Sequence, residues 1–123
     1  MQTVTGIITP HRGRGTRLGV PTINLPAPAD IPDGVYAGYV QHQSNRYPAA
    51  VFVGAAITFG EQDRQIEAHI IDQTITLTGA VTIDLIKCIR PNQRFPNSEQ
   101  LQQQMQSDIR VIKQCLQELS QNN

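Results

Sequence analysis

The stretch from Arg12 to Asn24 combines the residue types that bind a phosphate group. It reads Arg-Gly-Arg-Gly-Thr-Arg-Leu-Gly-Val-Pro-Thr-Ile-Asn, and no acidic residue precedes Asp30. Glycines let backbone N–H groups approach an anion closely, and arginine side chains add charge-assisted hydrogen bonds. The stretch is neither a Walker loop, since the Gly-Lys-Ser/Thr ending is missing, nor a dinucleotide fingerprint, since Leu18 replaces the third glycine. It is a candidate phosphate-binding loop, or alternatively a flexible solvated loop.

Thr22 and Asn24 extend this candidate site with two side chains of metal-binding type. Residues two apart in an extended segment share a face, so these side chains point together while Ile23 and Leu25 turn toward the core. A hydroxyl and an amide oxygen are hard ligands that Mg²⁺ accepts alongside substrate phosphates and water. The pair therefore indicates a nucleotide and magnesium site. The alternative is an ordinary edge strand with polar residues facing water.

Length and charge limit the classes of protein to which the chain can belong. It has 123 residues, of which 39% are hydrophobic and 16% charged, and its formal net charge is zero. A chain of this size buries about two-thirds of its unfolded surface, so we expect one compact domain over residues 1–123. Neutrality argues against a duplex DNA partner, which usually requires a basic excess over the whole domain.

The start of the chain and the cysteines indicate where the protein resides. The first ten residues have no charged n-region and no long apolar run, which predicts neither a signal peptide nor a membrane span. Cys88 and Cys115 lie far apart and outside any CxxC spacing. We therefore expect two reduced, buried thiols without zinc. The expected protein is a cytoplasmic monomer.

Up to about residue 90, the chain consists of short alternating segments separated by turn signals. Apolar and polar side chains alternate with the period of two that is typical of half-buried strands. The intervals are too short for helical crossovers, so an antiparallel barrel is favoured over a βαβ architecture. The predicted extended segments are Val4–Ile8, Pro21–Leu25, Gly34–Val40, Tyr47–Val53, Gln65–Ile70, Thr74–Thr78 and Val81–Leu85.

The chain beyond the barrel segments has the period of a helix. Apolar residues at spacings of three and four predict one amphipathic helix over about residues 97–120. Asn97 with Gln100 has the form of a capping box at its start. The opposite face carries mainly Gln and Ser, which favours a lid on the barrel over a coiled coil. The apolar face consists of Leu101, Met105, Ile109, Ile112, Leu116 and Leu119.

Five motifs in this order resemble those of the riboflavin kinase (flavokinase) family. They are Arg14-Gly15, Leu18-Gly19-Val20-Pro21-Thr22-Ile23-Asn24-Leu25, Gly34-Val35-Tyr36-Ala37, Ile66-Glu67-Ala68-His69-Ile70-Ile71-Asp72, and Ile89-Arg90 followed by Phe95. The resemblance covers nearly the whole chain, and Leu-Gly-x-Pro-Thr-x-Asn is its most specific part. It implies a mainly β fold, a six-stranded antiparallel Greek-key barrel over about residues 1–95 with a C-terminal helix. It also implies phosphoryl transfer from ATP to the ribityl 5′-hydroxyl of riboflavin, giving FMN.

The resemblance assigns roles to individual residues. Thr22 and Asn24 would hold Mg²⁺ and the phosphates, and Glu67 would be the catalytic base. A primary alcohol needs a carboxylate to accept its proton, while the rest of phosphoryl transfer depends mostly on positioning and charge neutralisation. The residues implied to contact ATP or riboflavin are Gly13, Arg14, Gly15, Thr16, Gly19, Pro21, Thr22, Asn24, Arg90 and Phe95.

The later candidates also have plainer interpretations. Glu67 lies on the polar side of an alternating segment, and without the resemblance it would be taken as a solvated strand residue. Phe95 and Arg90, on the implied flavin side, are alternatively an aromatic plug under the helix and a surface arginine. His69 lacks partners at metal-ligand spacing, so it is assigned no role.

The chain departs from the family pattern at several positions. Phe52 and Ile57 stand where the family usually has Asn and Pro, Thr78 stands in place of a Tyr, and Asn92 in place of an acid. These departures keep a second function open, that of a non-catalytic module binding a flavin or a nucleotide. Single-stranded nucleic acid is disfavoured because aromatic side chains are few. The expected partners are ATP and riboflavin, with no nucleic acid and no membrane. FAD synthesis by this chain alone is not predicted.

Overall fold

The computed structural model describes residues 2–9, 20–55 and 64–121. Within these ranges the chain forms six strands followed by one helix. The elements are β1 (Gln2–Ile7), β2 (Ile23–Pro26), β3 (Gly34–His42), β4 (Asn45–Gly54), β5 (Gln65–Ile70), β6 (Ala80–Arg90) and α1 (Ser98–Gln121).

The strands form one antiparallel sheet that curls into a nearly closed barrel. Their order is β1-β6-β3-β4-β5-β2. Strands β3, β4 and β5 follow one another, and β6 returns beside β3, which is the Greek-key arrangement. The two outer strands approach each other where the Thr9 amide donates to the Asn24 carbonyl at 2.8 Å. The predicted antiparallel Greek-key barrel is confirmed.

Apolar side chains form two clusters, one on each face of the sheet. Inside the barrel, Ile23 and Leu25 pack with Ile66, Ala68 and other buried strand residues. This confirms that Ile23 and Leu25 turn toward the core. On the outer face, strand residues meet the buried side of the helix. The outer cluster contains Val20, Val35, Ala37, Ala50, Phe52, Ile71, Phe95, Leu101, Met105, Ile112 and Leu116.

The helix begins at the predicted cap and covers the outer face. The Asn97 side-chain oxygen accepts from the Gln100 amide at 2.9 Å, which satisfies a donor that the first turn would otherwise leave open. The small side chains of Ala37 and Ala50 lie in the cluster beneath the helix, where they permit close packing. The predicted amphipathic lid is confirmed, although Leu119 remains 41% exposed.

Irregular pairing between β3 and β6 determines which residues face each other across the sheet. The register shifts between Val35 and Tyr36 and again between Ala37 and Gly38. A Cβ atom on Gly38 would lie 2.2 Å from the Asp84 carbonyl oxygen, so only glycine allows this approach. Together with the two register shifts, this pairing sets Arg90, at the end of β6, opposite Val35.

Two expectations from the sequence are wrong. Residues 74–78 form no strand, although Leu77 is buried and Ile75 packs against the inner cluster as their alternation predicted. The strands that flank this segment, β5 and β6, each already pair on both sides, so neither can take it up as a further partner. The cysteines are free thiols, but Cys88 is exposed and Cys115 is only partly buried, whereas both were expected to be buried.

Over residues 2–9, 20–55 and 64–121, no helix is both long enough and apolar enough to cross a bilayer.

Candidate active site

A row of directly paired residues crosses the outer face of the sheet and contains three of the predicted site residues. Asn24 on β2 lies opposite Glu67 on β5, and Glu67 lies opposite Phe52 on β4. Phe52 in turn faces Val35, which faces Arg90. Directly opposed residues of antiparallel strands project to the same side of a sheet. We call Asn24, Glu67, Phe52, Val35 and Arg90 the site row.

At one end of the site row, Thr22 and Asn24 form the predicted pair. The Thr22 hydroxyl donates to the Asn24 side-chain oxygen at 3.1 Å, which confirms that the two side chains point together. The Asn24 carbonyl accepts from both the amide and the hydroxyl of Thr9, at 2.8 and 3.1 Å. The backbone of Asn24 is therefore fixed by the contact that closes the barrel, while both polar side chains remain partly exposed.

An open cleft of about 460 Å³ lies beside this pair, between the ends of β1 and β2. We call it the edge cleft. Its described lining residues do not include Glu67, which lies on the next strand, paired with Asn24. They are Ile8, Thr9, Pro21, Thr22, Ile23, Asn24, Ile75, Thr76, Leu77, Thr78 and Gly79.

The donor set at the edge cleft fits magnesium better than zinc. Across the described ranges, no group of three or more His, Cys, Asp or Glu side chains is placed to hold a metal ion. The polar atoms of Thr22 and Asn24 that face the cleft are a hydroxyl and an amide. Mg²⁺ keeps several waters and takes few protein ligands together with substrate phosphates, so a sparse oxygen set suits it.

Two histidine side chains each bind a backbone carbonyl at this cleft. His69 Nδ1 lies 2.8 Å from the carbonyl oxygen of Pro21, and His42 Nε2 lies 3.0 Å from that of Thr78. Both carbonyls belong to residues that line the edge cleft. No role was predicted for His69 from the sequence. Its position two residues after Glu67 was the signal available, because it places both side chains on one face.

Glu67 is buried, with only 2% of its surface exposed. The alternative interpretation of a solvated strand residue is therefore wrong. Its neighbours across the sheet differ in character, because Asn24 is polar whereas Phe52 belongs to the outer apolar cluster. A carboxylate in this position is largely kept from bulk water.

The other end of the site row is held by an ion pair with the helix. Arg90 Nη2 donates to Asp108 Oδ2 at 2.7 Å, and Arg90 Nε donates to Oδ1 at 3.0 Å. The Asp108 side chain is 4% exposed and also accepts from Gln104 Nε2 at 3.1 Å. Asp108 was not a predicted site residue. The sequence feature that could have indicated it is its position on the helix, where an acidic residue falls on the same face as the buried apolar residues.

Phe95 lies beside this ion pair in the outer cluster. It is 9% exposed, and the guanidinium carbon of Arg90 lies 5.9 Å from the centre of its ring. Phe95 therefore lies under the helix, as the alternative interpretation expected. Arg90, which that interpretation placed on the surface, is instead bound to the buried Asp108. Whether either residue contacts a flavin stays a prediction.

One of the departures from the family pattern, Asn92, lies against Val53 and Gly54. Asn92 Nδ2 donates to the Val53 carbonyl at 3.0 Å, and the Asn92 side-chain oxygen is buried without a hydrogen-bond partner among the described residues. Gly54 has a φ of 152°, and a Cβ atom there would lie 2.2 Å from Asn92 Nδ2. The side-chain amide of Asn92 therefore packs directly against Gly54, where there is no room for a larger residue. Ile57 lies outside the described residues.

Side-chain hydrogen bonds from an arginine and a tyrosine stabilise the turn before β3. Arg64 Nε donates to Asp33 at 2.7 Å and Arg64 Nη1 to the Pro28 carbonyl at 3.0 Å. The Tyr36 hydroxyl donates to the Pro32 carbonyl at 2.7 Å. Burial raises the pKa of this phenol, and the nearby thiol of Cys88 and carboxylate of Asp33 raise it further against the opposing charge of Arg64. The phenol therefore stays a hydrogen-bond donor through the neutral pH range.

Part of the predicted phosphate loop lies outside the described residues, namely Gly13, Arg14, Gly15, Thr16 and Gly19. The remaining predicted residues divide into two groups. Pro21, Thr22 and Asn24 meet at the edge cleft, whereas Arg90 and Phe95 meet under the helix, and Glu67 lies between the groups.

Comparisons with known proteins show what this chain is similar to. A family described as "Flavokinase: Riboflavin kinase" matches residues 2–116. The trifunctional protein RibF/MnmA of Mycoplasmoides gallisepticum is 28% identical over 107 residues, which are 84% of this chain and 16% of that protein. The chain thus spans about a sixth of the length of this curated relative.

A solved structure shares the fold over most of the chain. It is described as a macrolide-efflux protein from Streptococcus pneumoniae and is 29% identical, with a TM-score of 0.71. The similarity covers 90% of this chain and 38% of that one. The family match, together with a barrel that brings the Pro-Thr-x-Asn segment against Glu67, leads to one conclusion: the chain belongs to the riboflavin kinase family.

Proposed function

We propose that this chain transfers the γ-phosphate of ATP to the 5′-hydroxyl of riboflavin, giving FMN and ADP. The observation that carries the proposal is the register of β2 with β5, which sets Asn24 directly opposite Glu67 while Thr22 bonds to Asn24. Main-chain pairing thereby holds the two side chains proposed to bind metal and the carboxylate on one face. Phosphoryl transfer requires these two elements to be neighbours.

The nucleotide belongs at the edge cleft in this proposal. Thr22 and Asn24 would hold Mg²⁺ through their oxygen atoms, and when bound, the ion neutralises charge that develops on the phosphates. Thr22 must turn its hydroxyl hydrogen away from Asn24 so that both oxygens face the cleft. A single neutral hydrogen bond contributes about 1 kcal/mol, so this adjustment is small.

Glu67 is the proposed base. The riboflavin 5′-oxygen forms a bond to the γ-phosphorus as the bond from that phosphorus to the β,γ-bridging oxygen breaks, and ADP leaves with that oxygen. The hydroxyl proton passes to the Glu67 carboxylate. Because Glu67 is 2% exposed, bulk water has little access as a competing acceptor or nucleophile.

The flavin side is proposed at the opposite end of the site row. A groove of about 440 Å³ runs beside Phe95 and the first turns of the helix. Its side-chain amides can pair with the alternating donors and acceptors at the edge of an isoalloxazine ring, and Phe95 offers an aromatic edge. The groove is lined by Gln93, Arg94, Phe95, Pro96, Gln100, Gln103, Gln104 and Ser107.

The reaction is tested by mixing the purified chain with ATP, Mg²⁺ and riboflavin and separating the flavins by chromatography. FMN accumulation in proportion to enzyme concentration is the expected result. The absence of FMN with every nucleotide and divalent metal tried would contradict the proposal.

One observation supports a second candidate, a non-catalytic flavin or nucleotide module. Phe52 lies directly opposite Glu67, so an apolar ring stands beside the proposed base where the family usually has Asn. Quenching of riboflavin fluorescence by the protein, with no FMN formed, would support this second function.

A further inference from the structure

We propose that His69 is a positioning residue for the edge cleft, holding the carbonyl of Pro21 and thereby fixing the orientation of Thr22 and Asn24. The inference deepens the proposed function, on which its meaning for catalysis rests. It concerns a side chain that neither the sequence motifs nor the comparisons assign to the reaction.

The chemistry of the contact determines which ring nitrogen carries the proton. His69 Nδ1 lies 2.8 Å from the Pro21 oxygen, well within hydrogen-bond distance. A carbonyl oxygen can only accept, so Nδ1 must be the donor, and in the neutral ring Nε2 is then left as an acceptor. The bond therefore selects one tautomer of His69.

The carbonyl of Pro21 lies before the start of β2, so it is not held by the main-chain pairing of that strand. The paired residues of β2 begin with Ile23 opposite Ala68, so Pro21 lies two residues before the ladder. Proline has no N–H group to donate to a neighbouring strand. The imidazole of His69 supplies a hydrogen bond at the point where main-chain pairing has not yet begun.

Holding this carbonyl also restrains Thr22. The carbonyl of Pro21 and the amide nitrogen of Thr22 belong to one planar peptide unit, so fixing one orients the other. Asn24, at the far end of the segment, is already fixed by two hydrogen bonds from Thr9 to its carbonyl. His69 and Thr9 thus restrain the segment on both sides of the Thr22 hydroxyl and the Asn24 amide.

The opposite wall of the edge cleft is held in a similar way. His42 Nε2 lies 3.0 Å from the carbonyl of Thr78, which precedes Gly79 with its positive φ of 85°. Each wall therefore depends on an imidazole bound to a backbone oxygen. Neither histidine has the partners of a metal ligand, because no group of three His, Cys, Asp or Glu side chains is close enough among the described residues.

The test compares three substitutions of His69. In His69→Asn the side-chain amide nitrogen can occupy the place of Nδ1 and keep the donor, whereas in His69→Gln the amide reaches the place of Nε2, and His69→Ala has no donor. We expect the affinity for Mg²⁺-ADP, measured by calorimetry, to fall about tenfold in His69→Ala and His69→Gln, which corresponds to one hydrogen bond. His69→Asn should stay within about twofold of the unchanged protein.

The steady-state constants should show the same selectivity. The KM for ATP should rise about tenfold in the Ala and Gln variants while the KM for riboflavin stays within about twofold, since one hydrogen bond at the nucleotide side is lost. A merely structural role would lower stability and change both constants together. Thermal unfolding of all three variants provides that control. If His69→Asn is as weak as His69→Ala, or if His69→Gln binds like the unchanged protein, the inference is wrong.

A measurement independent of turnover separates this inference from the proposed reaction. Long-range proton–nitrogen NMR spectra at a pH where the ring is neutral should show Nδ1 as the protonated nitrogen of His69. A ring protonated at Nε2 would overturn the inference even if FMN is formed. Conversely, a protein that makes no FMN but shows the Nδ1–H tautomer and the Asn-selective binding of Mg²⁺-ADP would refute the kinase activity and leave the role of His69 intact.

Discussion

The two ends of the site row are held by forces of different strength. At the β2 end, Thr22 and Asn24 share one neutral hydrogen bond of 3.1 Å beside an open cleft. At the β6 end, Arg90 makes three hydrogen bonds to Asp108, an aspartate of the helix whose side chain is 4% exposed. The hydrogen bond at the first end can be exchanged for a contact with a ligand, whereas the buried ion pair at the second end stabilises the fold.

The difference has a direct consequence for substitutions. A neutral hydrogen bond contributes about 0.5–1.5 kcal/mol to stability, while removing one partner of a buried ion pair costs about 3–5 kcal/mol. Changes at the β2 end should therefore affect the reaction with little effect on stability. Changes at the β6 end should affect stability first, and the four predictions below test this contrast.

Asp108→Ala should have the largest effect on the free energy of unfolding. It leaves Arg90 without the carboxylate that binds it, and we expect a loss of about 3 kcal/mol, near the low end for buried pairs because Arg90 is 17% exposed. Urea denaturation measures the change. Lys113→Ala on the same helix is the matched control, because its ion pair with Asp72 is exposed and should contribute less than about 1 kcal/mol. Equal losses in the two variants would show that burial of the first pair does not matter.

Glu67→Gln should have the largest effect on turnover. The amide keeps the shape of the side chain but cannot take the hydroxyl proton, so kcat should fall by about a hundredfold or more. Binding of riboflavin, followed by fluorescence quenching, should stay nearly unchanged. Gln114→Ala, on the exposed side of the helix, serves as a control for handling of the protein. A Glu67→Gln variant with normal kcat would remove Glu67 from the role of base.

The sequence alone predicted a contact at either end of the site row only where the two residues that form it are close together along the chain. The side-by-side placement of Thr22 and Asn24 follows from the period of two, and the Asn97 cap follows from a spacing of three. Both are local. The bond between Arg90 and Asp108 joins residues 18 apart on two different elements, and that between His69 and Pro21 joins residues 48 apart. No local pattern encodes such pairs.

Burial and strand pairing were also beyond local patterns. Alternation predicted the face on which Glu67 projects but not that the same face would be covered, since coverage comes from elements distant in sequence. Residues 74–78 alternate as a strand does, and Leu77 is buried as expected. They form no strand because both neighbouring elements, β5 and β6, already have partners on each side.

Thr22→Val should weaken the metal side without unfolding the protein. Valine has nearly the shape of threonine but lacks the hydroxyl, so the Mg²⁺ dependence of FMN formation should shift about tenfold to higher concentration, the effect of one lost polar contact. Thr22→Ser keeps the hydroxyl and should restore most of the unchanged dependence. Identical magnesium titrations for Val and Ser would contradict a ligand role for the Thr22 oxygen.

Asn97→Ala should have the smallest effect of the four. It removes the side-chain oxygen that accepts from the Gln100 amide, which should lower the free energy of unfolding by about 1 kcal/mol. Urea denaturation measures this loss, and Asn97→Asp, which keeps an acceptor, should recover it. A decrease in kcat larger than the change in stability accounts for would mean that the helix end takes part in the reaction directly.

The central claim is that the face carrying Thr22, Asn24 and Glu67 transfers phosphate to riboflavin. The most direct measurement supplies ATP labelled at the γ-phosphate together with riboflavin and Mg²⁺, and follows the label by chromatography. The label is predicted to enter FMN in the unchanged protein and to be largely absent from FMN with Glu67→Gln. Label that stays in ATP or appears only as inorganic phosphate in the unchanged protein would contradict the claim.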